Sequence, residues 1–272
     1  MIHLFCALPC EAETLIQYFK LSEQKEFDLF RLYQTQDKSI SLTITGIGKL
    51  NAAAAVSYHH ACLQTASADI WLNIGVAGHA NLAIGEACLI NKITDDRHAT
   101  TWYPQILFKT DCTSAALITH DAPSTEYQTA LFDMEAAGFY QMALRLGTAE
   151  LIHCLKIVSD NQEHPADKIN ADSVKKLIAK HKTTIEQVLD SLKPLAEELR
   201  SIKVTPEHYQ SLIEKYHFTQ SDRLQLVRLL RQWAVRFPNE DIMQSVRDIK
   251  NGKSLNKKIQ AKLTELDFVI HD

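Results

Sequence analysis

Nowhere in its 272 residues does the chain carry an apolar run long enough to span a bilayer, an internal repeat or a low-complexity tract. The first absence excludes a helical membrane protein; the others exclude a repeat array and a disordered tract. Cysteine is sparse: Cys6, Cys10, Cys62, Cys88, Cys112 and Cys154 form no CxxC pair and no dense framework. That spacing points to reduced, mostly buried thiols in a reducing compartment. No Lys or Arg precedes the apolar start MIHLFCALPCE, which Pro9 interrupts, so no signal peptide is expected and the chain is read as cytoplasmic. His59-His60 lacks further residues to complete a metal site, so a packed or interface pair is the safer reading and no metal or organic cofactor is expected.

A strong excess of either charge is lacking too, the net charge being −4. Its distribution says more: residues 1–196 carry 16 Lys+Arg against 22 Asp+Glu, residues 197–272 carry 13 against 11. The two parts therefore differ in electrostatic character. The apolar share of 46% is enough for a sizeable core.

Apolar runs at Ile2–Leu8, Ile70–Ile74 and Leu151–Val158 read as buried strands. Segments 29–34, 40–45, 87–93, 106–109 and 116–119 are read as further strands. Helices are expected from Glu11 to Phe19, from Asn51 as N-cap through Cys62, from Asp133 to Leu146, and from Asp172 to Leu192. Strands alternating with helices predict a largely parallel central sheet covered on both faces. Pro194 punctuates the pattern, giving domains 1–195 and 196–272. The second reads as helices only, about 206–215, 221–236, 240–251 and 255–266.

In such sheets ligands gather at the strand ends. Four short segments fall at those junctions: Ala7-Leu8-Pro9-Cys10-Glu11, Gly46-Ile47-Gly48-Lys49-Leu50-Asn51, Asn73-Ile74-Gly75-Val76-Ala77-Gly78 and Ile157-Val158-Ser159-Asp160. A fifth, Phe132-Asp133-Met134-Glu135-Ala136-Ala137, opens a helix. Glu11, Glu135 and Asp160 thus stand where a doubly wound sheet would converge them. Paired carboxylates suit glycosidic-bond cleavage, one as acid on the leaving group and another as base for water.

In this order and spacing the five segments resemble the 5′-methylthioadenosine/S-adenosylhomocysteine nucleosidases and the wider purine nucleoside phosphorylase superfamily, over roughly residues 1–195. The resemblance implies a single α/β domain with a twisted, partly barrel-like mixed sheet wrapped by helices, here followed by a small all-α extension. It implies an enzyme acting on a purine nucleoside, usually as a dimer or higher oligomer. By the same resemblance Glu11 polarises the attacking water, and Asp160 holds the purine and supplies a proton near N7. Glu135 holds ribose hydroxyls, Met134 lies against the sugar, and Ser159 orients Asp160 or the base.

Departures from the family pattern are specific. Val76 replaces a Ser or Thr that helps hold water or phosphate. Lys156 replaces an arginine, keeping the charge but losing the planar bidentate contact. The loop between His120 and Phe132 is shorter, leaving the family's purine-stacking phenylalanine without a counterpart. His79, Trp102 and Tyr103 join Gly46, Gly48, Gly75, Ala77 and Gly78 as candidate pocket residues. Hydrolysis is therefore the leading reading; phosphorolysis, or nucleoside binding on a catalytically degenerate fold, are the rivals.

Blander readings stand beside these. Glu11 could be a dipole-favoured helix acid, Asp160-Asn161 a turn, and Asp133 an N-cap. The Gly46-x-Gly48 pair alone could mark a turn, and Lys49 reads as a solvated surface lysine. In the extension, Arg223, Arg228, Arg231 and Arg236 with Trp233 read as an amphipathic, solvated helix face, because Glu240, Asp241 and Asp248 dilute any basic stripe. No nucleic-acid or membrane partner is expected.

Overall fold

A computed structural model describes residues 1–265 except 125, 204, 248 and 250. The chain divides into two compact units, Met1–Arg200 and the residues from Ser201 onward. Strands of the first unit are β1 (Ile2–Cys6), β2 (Ser22–Glu23), β3 (Leu32–Gln34), β4 (Ile40–Ile44), β5 (Ile70–Gly78), β6 (Ala87–Asp95), β7 (Thr101–Trp102), β8 (Thr113–Thr119), β9 (Leu131–Asp133) and β10 (Ile152–Asp160). Its helices are α1 (Pro9–Tyr18), α2 (Lys49–Leu63), α3 (Ala136–Leu146) and α4 (Ala171–Lys180), and α5 (Lys182–Lys203) runs past its boundary.

The sheet is mixed, as the resemblance implies, with antiparallel pairings joined to the parallel ones. β4, β1, β5 and β10 are parallel neighbours, with Ile2 opposite both Ile40 and Ile70 and Trp71 opposite Ile152. β6 runs antiparallel to β10, and β8 and β9 return the ladder to β5, where Gly78 pairs with Phe132. β5, β10, β6, β8 and β9 therefore close on themselves as a small barrel. β1, β4, β3 and β2 extend from it as an open arm.

Side-chain alternation explains why both faces are covered. Leu4 and Cys6 of β1, with Leu72 and Ile74 of β5, pack beneath Ala12 and Leu15 of α1, Ile178 of α4 and Ile185, Leu189 and Leu192 of α5. The intervening Phe5 and Trp71 point the other way, into Ala52 and Val56 of α2 and Phe139 and Ala143 of α3. Phe5 and Trp71 stack at 5.6 Å. Burying each such large apolar side chain is worth about 1.5–3 kcal/mol, so strands buried on both faces anchor the unit.

Several expectations are corrected. β5 does not break at Gly75 but continues through Gly78, because β1 and then β10 supply ladder partners along it. No strand occupies 106–109. Asp133 ends β9, and the helix begins only at Ala136. Gly48 rather than Asn51 is the N-cap of α2, and the Asn51 side chain instead donates to the Ile47 carbonyl at 2.8 Å. The helix expected over 172–192 is two helices parted at His181, and Pro194 lies inside α5 rather than ending it.

The second unit holds α6 (Tyr209–Lys215), α7 (Gln220–Arg236), α8 (Ile242–Ser245) and α9 (Gly252–Glu265). Thr219 caps α7 by accepting the Asp222 amide. Leu226, Leu229 and Trp233 of α7, Ile242 of α8 and Leu255, Ile259 and Leu263 of α9 make a core of its own. α8 is one turn long where a helix over 240–251 is expected; Asp248 and Leu266 lie outside the described residues. Among the described residues no helix is long and apolar enough to cross a membrane.

Candidate active site

The site begins where β1 turns into α1. Pro9 starts the helix, and Glu11, in its first turn, reaches back so that Oε2 accepts the amides of Ala7 and Leu8, each at 2.9 Å. Oε1 accepts the Val76 amide at 2.9 Å. Glu11 as a whole is 3% exposed. Burial pushes its pKa up, while Lys156 and the three amides pull it down.

β5 and β10 pair in parallel register, setting Lys156 beside Gly75 and Asp160 beside Gly78. Both glycines are places where the backbone must come close to functional groups. A Cβ on Gly75 would stand 2.8 Å from Glu11 Oε1 and 3.4 Å from Lys156 Nζ. A Cβ on Gly78 would stand 2.2 Å from Phe132 Cζ and 2.7 Å from Asp160 Oδ2. Asp160 closes β10 past a register shift after Val158, and its Oδ1 accepts Ser159 Oγ at 2.5 Å.

The third acid comes from the β9–α3 junction. Glu135 Oε1 accepts the Gly48 amide at 2.8 Å. Burial first, then the neighbouring Asp133, pushes the Glu135 carboxyl up to about 7. Asp133 Oδ1 accepts Thr119 Oγ1 at 2.8 Å, and its Oδ2 accepts the Ala136 amide at 2.9 Å and Lys156 Nζ at 2.8 Å.

Glu11, Glu135 and Asp160 line one cavity of about 220 Å³. Val76, Ala77, Gly78, Met134 and Ser159 line it too, as expected, together with Leu8, Ile47, His120, Phe132 and Asp133. Two larger grooves, about 1260 and 770 Å³, lie elsewhere in the unit. Neither gathers Glu11, Glu135 and Asp160, so chemistry rather than size identifies the site.

Other expected residues fall outside the lining. Lys156 is 1% exposed, buried behind the wall against Asp133. Gly48 serves through its amide, whereas Gly46 and Gly75 shape the backbone. His79 organises a loop: its Nδ1 accepts the Asn81 and Leu82 amides, and its Nε2 donates to the Thr129 carbonyl at 2.8 Å. Trp102 lines the 770 Å³ groove, and Tyr103 is 61% exposed. Lys49 is no solvated lysine; its Nζ bridges Asp95 and Asp121, each at 2.7 Å.

Sequence reasoning missed Phe132 and His120. Phe132 looks like any strand hydrophobe, yet it lies between Tyr127, with ring centroids 5.6 Å apart, and His120, at 6.1 Å. The signal was its place directly before Asp133-Met134-Glu135. His120 Nδ1 meets Asp96 Oδ2 at 2.8 Å.

No family model and no curated protein sequence matches the chain. Solved structures do. The 5′-methylthioadenosine nucleosidase of Arabidopsis thaliana superposes with a TM-score of 0.57 at 20% identity, over 70% of this chain and 95% of that one. An MTA/SAH nucleosidase from Colwellia psychrerythraea, solved with adenine, gives 0.55 at 18% identity, over 71% and 94%. A futalosine hydrolase mutant of Helicobacter pylori gives 0.52 at 13% identity, over 70% and 98%. The chain therefore has the α/β fold of the MTA/SAH nucleosidases and futalosine hydrolase, followed by a helical unit.

Proposed function

We propose that the protein is a nucleosidase that hydrolyses the N-glycosidic bond of a purine nucleoside or a 5′-modified adenosine. The observation that carries this reading is the convergence of Glu11, Glu135 and Asp160, from three distant segments, on one cavity. Glu11 is the base for water: three amides fix its carboxylate, and burial raises its proton affinity. Asp160, oriented by Ser159, hydrogen-bonds the purine and protonates the leaving base. Phe132 flanks that acid and offers the base an apolar face. Glu135 accepts from the ribose hydroxyls, and Met134 packs against the sugar.

Two observations bear on the rivals. Val76 meets Glu11 through its backbone amide, so losing a side-chain hydroxyl there does not dismantle the base. That favours catalysis over a degenerate binding protein. Among the described residues lining the cavity there is neither lysine nor arginine, which favours water over phosphate as nucleophile.

The reading extends to a cytoplasmic homodimer. Leu50 and Ile47, 87% and 50% exposed beside the Gly48–Glu135 contact, form the apolar patch that a second copy would cover. The test of function is product analysis: adenosine and 5′-methylthioadenosine, incubated in phosphate-free buffer, should yield free base and free sugar. Release of base only when phosphate is added, with sugar 1-phosphate, would support the phosphorylase instead.

A further inference from the structure

Lys156 is a cation sealed in the wall of a cavity that, on the proposed reading, admits water and excludes anions. Its Nζ has no route to a ligand while Asp133 holds it at 2.8 Å, both side chains being almost fully removed from water. Asp133 is itself held. Thr119 Oγ1 donates to its Oδ1 at 2.8 Å, the Ala136 amide donates to its Oδ2 at 2.9 Å, and the Ala137 amide donates to Thr119 Oγ1 at 3.0 Å. The strand end of β8 and the first turn of α3 therefore grip one carboxylate from opposite sides. Asp133 lines the cavity and Lys156 does not, so the carboxylate stands between the ammonium and whatever enters.

The location is equally specific. The point that a Cβ on Gly75 would occupy lies 2.8 Å from Glu11 Oε1 and 3.4 Å from Lys156 Nζ. The ammonium is thus close behind the group that handles the nucleophile. An ammonium free to turn there would attract an anion to the place where water must sit, and in so dry a setting the attraction would be strong. A tied ammonium instead offers only background charge.

We propose that Asp133 is a specificity-determining positioning residue, which engages Lys156 and so reserves the nucleophile position for water against phosphate-like anions. The inference rests on the nucleosidase reading but concerns a separate property, anion exclusion, which can be read without turnover.

The experiment follows thermal unfolding of the full chain with increasing inorganic phosphate, at constant ionic strength. Ligand binding to the native state raises the midpoint by mass action. The wild type should show no phosphate-dependent rise. Asp133→Asn, which loses the charge and keeps a single carbonyl oxygen that can accept from Thr119 or from Ala136 but not from both, should bind phosphate at least about tenfold more tightly than wild type. The double variant Asp133→Asn/Lys156→Met should lose that gain. Because Asp133→Asn leaves a buried ammonium unpaired and can fail to fold, Thr119→Val provides a gentler release and should show a smaller gain. Equal phosphate response in wild type, Asp133→Asn and Thr119→Val would overturn the proposal, as would a gain that survives Lys156→Met. Absence of base release by wild type in phosphate-free buffer would instead sink the nucleosidase reading and leave these binding results interpretable.

Discussion

Glu11 Oε1 accepts the Val76 amide at 2.9 Å, tying the first turn of α1 to β5 across 65 residues of sequence. With the Ala7 and Leu8 amides on Oε2, the carboxylate is aimed by three backbone amides rather than by neighbouring side chains.

Glu11→Gln should therefore cost about 10²–10⁴-fold in kcat, the usual worth of a positioned acid or base. It should also destabilise the fold by about 1–3 kcal/mol, because an amide NH₂ would face a backbone N–H where an oxygen now accepts. Steady-state kinetics and urea unfolding of the same preparation check both effects.

Gly78→Ala places a methyl group 2.2 Å from Phe132 Cζ and 2.7 Å from Asp160 Oδ2. Overpacking of this kind costs about 1–3 kcal/mol. The expected outcome is a folded but less stable protein whose KM for nucleoside rises and whose kcat falls, since both the ring and the acid must shift. Wild-type kinetics in this variant would contradict the placement of Phe132 and Asp160 at the base.

Glu135 makes stability depend on pH. Its ordinary value is 4.5, and in the fold it stands at about 7. Between those values the folded chain binds the extra proton, so this residue's contribution lowers stability as pH rises through the window. Glu135→Gln should flatten that part of the curve. If the ionised form accepts from ribose, KM should also fall as pH climbs through about 7. Unfolding midpoints of both proteins from pH 4.5 to 8 decide it.

His59 and His3 work in the opposite sense. Burial holds both below the ordinary 6.5, His59 the more strongly, within a chain of contacts that runs from Thr43 through His59 and His3 to Asp69. The unfolded chain takes up protons below pH 6.5 while the folded one resists, so stability should drop as pH falls through that value. His59→Gln should show a shallower acid limb in urea unfolding.

Leu50→Glu tests assembly. A charge on a side chain 87% exposed in the monomer costs the fold little, but it would break an apolar contact between copies. Sedimentation should show the wild type as a dimer and the variant as a folded monomer, whose unfolding midpoint no longer rises with protein concentration.

What was legible in the sequence followed from burial on both faces. β1, β4, β5 and β10 are apolar enough to be read as strands. Glu11, Glu135 and Asp160 stood at junctions where a strand or helix must begin or end. β2, β7 and β9 were not legible, because two or three residues carry no period of their own and exist only through their ladder partners. Gly75 to Gly78 looked like a break because glycine weakens a strand, but neighbouring strands fix this segment and the close approach of Glu11 and Asp160 needs the missing side chains. Pro194 looked like a stop; Leu192 and Ala196, buried on either side of it, hold α5 against the core despite the lost amide. Lys49 and Lys156 were misplaced for one reason: their partners Asp95, Asp121 and Asp133 are distant in sequence.

The most direct measurement is turnover of 5′-methylthioadenosine in ¹⁸O-labelled water without phosphate, with mass analysis of the released sugar. The proposed hydrolysis predicts one heavy oxygen on the sugar's anomeric carbon, free base in equal amount, and loss of both in Glu11→Gln and Asp160→Asn. Absence of labelled sugar, or undiminished labelling in either variant, would contradict the assignment of these acids to water attack and base departure.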